Sequence, residues 1–114
     1  MKQKNIEIYL EDPSEEAERD FIRRNYRPDV YVKLEEEFIQ INVYGLIRLI
    51  HDFESSYAHL GFYLIDPNLV LVKETDTGQI ITAIVELHKR NLFLNFKPLP
   101  SDKIPKELHK VYPA

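Results

Sequence analysis

Ile6, Ile8 and Leu10 alternate with Glu7, Tyr9 and Glu11, and a period of two marks a strand with one buried face. Asp12-Pro13-Ser14-Glu15 then reads as a helix start. Asp12 can cap free backbone N–H groups, Pro13 suits the first helical position, and Glu15 completes a capping-box spacing. Glu15, Glu16 and Glu18 precede Arg23 and Arg24, the order that the helix dipole favours. Arg27-Pro28 is expected to end this element, because the residue before proline avoids helical angles. Val30, Val32 and Leu34 predict a second strand and Phe38, Ile39, Ile41 and Val43 a third, with Glu35-Glu36-Glu37 as the hairpin loop between them.

Helical spacing returns at Leu46, Leu49, Ile50, Phe53, Tyr57 and Leu60, which predicts an amphipathic helix over 45–60 closed by a left-handed Gly61. Phe62 to Ile65 is apolar, Asp66-Pro67-Asn68 reads as a turn, and Leu69-Val70-Leu71-Val72 as a buried strand. Residues 79–90 allow two readings. Their β-branched run suits a strand. Against that, Asp76 and Gln79 have capping-box spacing, Ile80, Ile84 and Leu87 form a helical stripe, and His88, Lys89 and Arg90 sit where a last turn favours cations. With Asn91 able to take the cap, the terminal signals predict a helix. Leu92, Phe93, Leu94 and Phe96 suggest a short strand or docking segment. The remainder holds four of the seven prolines, with a short helix expected from Pro105 to Lys110.

These elements predict an α+β fold: one domain, with an antiparallel or mixed sheet of about five strands packed by two to three helices. The domain is expected over 1–97, with 98–114 a Pro-rich C-terminal tail packing on it. The chain has 114 residues, enough to bury an autonomous core. Its 44% apolar and 30% charged residues are those of an ordered globular protein. The absence of cysteine excludes disulfides, thiolate zinc sites and cysteine nucleophiles, and suits a reducing compartment. No run approaches the ~20 apolar residues of a membrane span, and the N-terminus lacks the apolar core of a signal peptide. A cytoplasmic protein that binds no membrane is expected.

Charge changes the picture more. Residues 1–57 carry 8 basic and 13 acidic side chains, and residues 58–114 carry 7 and 6. An acidic first half disfavours nucleic-acid binding, which draws its affinity from clustered Lys and Arg, and suits a basic protein partner. Arg19, Arg23, Arg24 and Arg27 form one basic cluster, but Glu15 and Asp20 stand at i,i+4 to Arg19 and Arg24 and offset it.

Candidate chemistry is sparse. His51 and His59 are eight positions apart on the predicted helix, about 12 Å along its axis, too far to share an ion. His51 and Glu54 supply half a metal site at most. None of the serines sits in the glycine-flanked turn that a nucleophile needs, and Gly45, Gly61 and Gly78 are too scattered to cradle a phosphate. No catalytic residue, cofactor or metal ligand is expected, and the chain reads as a non-enzyme. The acids of the first half suit either a solvated face or a surface that docks a basic protein. Tyrosines at such a surface make good anchors. The contact residues expected on these grounds are Glu15, Glu16, Glu35, Glu36, Glu37, Tyr31, Tyr57 and Tyr63.

Between Phe38 and Phe96 the chain carries a strand, the helix Leu46-Ile47-Arg48-Leu49-Ile50 and the strand Leu69-Val70-Leu71-Val72. Thr77-Gly78-Gln79-Ile80-Ile81 then opens a helix that ends before Asn91-Leu92-Phe93. In this pattern it resembles small immunity proteins of bacterial polymorphic-toxin and contact-dependent growth inhibition systems. The resemblance implies a cytoplasmic inhibitor that binds one toxin domain, often a basic nuclease, and blocks its active site. It assigns no residue a role. The alternative is a small ligand-binding or regulatory domain with a pocket between sheet and helices. An enzyme of unfamiliar design, built on buried His51, His59 and carboxylates, ranks third.

Overall fold

The computed structural model describes residues 5–57, 61 and 67–113. Within them the strands are β1 (Ile6–Leu10), β2 (Tyr26–Leu34), β3 (Glu37–Gly45), β4 (Leu69–Val72) and β5 (His109–Tyr112). The helices are α1 (Glu15–Arg24), α2 (Leu46–Asp52) and α3 (Thr77–Lys89). The strands form one mixed sheet in the order β4-β3-β2-β1-β5, antiparallel throughout except for the parallel β3–β4 pair. The expected α+β class and strand number hold.

Alternation sets the two faces of the sheet. Ile6, Ile8, Leu10, Val30, Val32, Ile39, Ile41, Val43, Val70 and Val72 are buried in one cluster with Ile80 and Ile84 of α3. The expected α3 therefore forms, with the Asp76 carboxylate accepting from the Gln79 N–H. Asn91 takes the left-handed conformation just beyond its end. The β-branched run that suited a strand lies on a helix because its apolar positions fall every three to four residues, toward the sheet.

Several boundaries differ from expectation. Ser14, not Asp12, caps α1: its hydroxyl accepts from the Ala17 N–H at 3.1 Å. The Asp12 carboxylate instead accepts from the Ser14 N–H at 3.0 Å, which leaves Pro13 outside the helix. Asn25 ends α1 with φ 58°, so Arg27 and Pro28 belong to β2. A register shift between Arg27 and Val30 accommodates that proline in the strand. Glu37 pairs with Leu34, which shortens the hairpin loop to Glu35-Glu36.

The helix expected over 45–60 is α2 followed by a π-helical turn, Phe53–Tyr57. Of its apolar stripe, Leu46 and Ile50 are 51% and 47% exposed, as is the neighbouring Ile47 at 77%, while Leu49 and Phe53 are half-buried. Gly61 has the expected positive φ, 77°. Leu60, the Phe62–Ile65 stretch and Asp66 lie outside the described residues.

Leu92–Asn95 is a 3-10 turn rather than a strand, and it docks through Phe93, which is buried edge-on against Phe96. The tail then forms a 3-10 turn at Ser101–Lys103 and the strand β5, in place of the helix expected from Pro105 to Lys110. The outer edge of β1 would otherwise leave backbone groups unpaired, and β5 pairs with it from Ile8 to Leu10.

Candidate functional site

The end of the sheet where β1 leaves and β2 enters is organised around Arg27, whose side chain is wholly buried. Its Nε donates to Asp29 at 2.8 Å, and one terminal nitrogen donates to Glu18 at 2.5 Å and to the Thr77 hydroxyl at 3.3 Å. The guanidinium also lies 4.8 Å from the Phe21 ring centre. The other terminal nitrogen reaches the Asp12 carbonyl. Glu18 in turn accepts from both the backbone N–H and the hydroxyl of Thr77, the latter at 2.6 Å. One cation thereby joins α1, β2 and the first turn of α3. Burial alone would raise the Glu18 pKa, but the hydrogen bonds from Thr77 and Arg27 outweigh it and hold the carboxyl below its ordinary value.

Beside this network lies an open depression of about 790 Å³, bounded by α1 and the β1–α1 connection. Its lining includes Glu11, Asp12, Glu16, Asp20 and Asp29, with Arg19 and Arg23 on the helix side. Asp20 pairs with Arg24 at 3.0 Å, as the i,i+4 spacing predicts, and with Arg23 as well. Asp29 is committed to Arg27. Backbone and side-chain hydrogen bonds from Ser14 keep the Asp12 pKa below its usual value. Glu16 is exposed. With Asp20 and Asp29 paired to arginines, the exposed Glu11, Asp12 and Glu16 leave the depression acidic on balance, beside Arg19 and Arg23.

The expected contact residues do not form a single surface. Glu15 and Glu16 are exposed in the first turn of α1, while Glu35, Glu36 and Glu37 are exposed at the β2–β3 hairpin. Leu10 pairs with Val30 and Ile6 with Leu34, so the helix and the hairpin lie at opposite ends of the sheet. A nine-residue β2 separates them by roughly 26 Å.

Tyr31, expected at the surface, is 4% exposed. Its hydroxyl donates to Glu11 at 2.5 Å, and burial, reinforced by that carboxylate, raises its pKa well above the ordinary tyrosine value. Its role is therefore to hold Glu11 at the rim of the depression. The Tyr57 side chain, Tyr63 and His59 lie outside the described residues. His51 is exposed, and no group of three or more His, Asp or Glu suited to a metal occurs among the described residues.

Arg27 is a buried hub and Asp29 its partner, roles not among those expected from the sequence. Their signal was available: opposite charges two apart before a β-branched run share one face of a strand. Spacing alone instead groups Arg27 with Arg19, Arg23 and Arg24.

A second concavity, of about 640 Å³, opens at the hairpin end of the sheet between β1, β2, β5 and the last turns of α3. Lys33, His88 and Lys89 line it together with Glu7 and Glu35, so its charge is mixed. No helix among the described residues is long and apolar enough to cross a membrane. In comparisons with protein-family models, curated proteins and solved structures, nothing matches this chain.

Proposed function

We propose that this protein is a non-enzymatic immunity protein that binds and neutralises a cognate bacterial toxin domain with a basic surface, such as a nuclease. The observation that carries the reading is the acidic depression beside α1, held in shape by the Arg27 network and by the Tyr31–Glu11 hydrogen bond. A concave surface with an excess of one sign concentrates the field between its walls, which speeds encounter with an oppositely charged partner and favours one orientation. Inhibition needs only that the partner's basic active-site rim be occupied. The fold then serves as a scaffold for charge, with no chemistry of its own.

Glu16→Lys reverses one exposed charge at the depression and leaves the buried network intact. In a toxin challenge, cells carrying Glu16→Lys should be protected less well than wild type. Reversal of Glu35, Glu36 and Glu37 to Lys, at the far end of the sheet, should leave protection nearly unchanged. The opposite ranking would move the interface to the hairpin.

The second reading is a small ligand-binding or regulatory domain, and the concavity between the sheet and α3 favours it. A rise in thermal stability with one metabolite, lost in Lys33→Ala, would support that reading over the first.

A further inference from the structure

We draw no further inference here: the strongest candidate, the uncovered apolar face of α2 formed by Leu46, Ile47 and Ile50, carries nothing because nothing in the structure shows what covers it.

Discussion

A guanidinium without exposed surface must satisfy its charge inside the protein, and Arg27 does so with carboxylates from two elements and a hydroxyl from a third. Removing the cation leaves Asp29 nearly buried without its partner, while Glu18, half-buried, keeps only its bonds from Thr77, and loss of a partner in a buried ion pair costs about 3–5 kcal/mol. Arg27→Ala should lose stability on that scale in urea unfolding. Arg27→Lys should recover only part of it, since an ammonium cannot reproduce the planar fork. Glu18 titrates below its ordinary value in the fold, so its contribution is present above the unfolded pKa and is lost as pH falls through the folded one. Stability of Glu18→Gln should therefore be lower at neutral pH and fall less steeply from about pH 5 to 3. Asn25 acts twice. It closes α1, and its side chain accepts from the Arg48 N–H at 3.0 Å, capping α2 where Gly45 has no side chain to offer. A methyl group on Gly45 would overlap that side chain, at 2.0 Å from its oxygen. Gly45→Ala should destabilise the fold on its own and do so less in an Asn25→Gly background. A double-mutant cycle measures this coupling; strictly additive losses would refute the shared site.

The three helices differ in how they are held. α3 buries Ile80 and Ile84 against the sheet, whereas α2 buries no residue. Beyond its own turns, α2 is secured by Asn25, by Arg48 donating to the Arg24 carbonyl, and by Arg48 lying 5.5 Å from the Tyr26 ring centre. Native-state hydrogen exchange should show α2 amides opening at lower free energy than those of α3. Equal protection would contradict this ranking.

Strands β1 to β4 and helix α3 were legible because alternation, capping residues and terminal charges agreed, and α1 was legible from its terminal charges although Ser14 rather than Asp12 caps it. β5 was not: His109-Lys110-Val111-Tyr112 is too short and too polar to announce a strand. Its place comes from the open edge of β1, a long-range demand that local pattern does not record. The tail is also tied by Asn68, whose side-chain amide bonds both backbone groups of Lys97. The α2 stripe misled in the other direction, since helical spacing predicts a helix but not that its apolar face will be covered. Likewise, the acids of the candidate site were legible by type. Their division between two ends of the sheet depended on strand register.

For the whole molecule, the arrangement sets a polar network and an acidic depression at one end of the sheet, and an acidic hairpin and a mixed-charge concavity at the other. Net charge of −4 steers any cation only weakly, so recognition of the proposed basic partner would depend on local concentration of charge at one end. Association should therefore slow with added salt, and Glu16→Lys should reduce the on-rate roughly fivefold to tenfold while changing dissociation less. The most direct test is to recover the tagged protein from its native cell, under low- and high-salt washes, alongside Glu16→Lys and the triple hairpin reversal. Wild type and the hairpin variant should each recover one stoichiometric basic protein partner, and Glu16→Lys much less of it. Recovery of no protein partner, or equal recovery with Glu16→Lys, would contradict docking at the acidic depression.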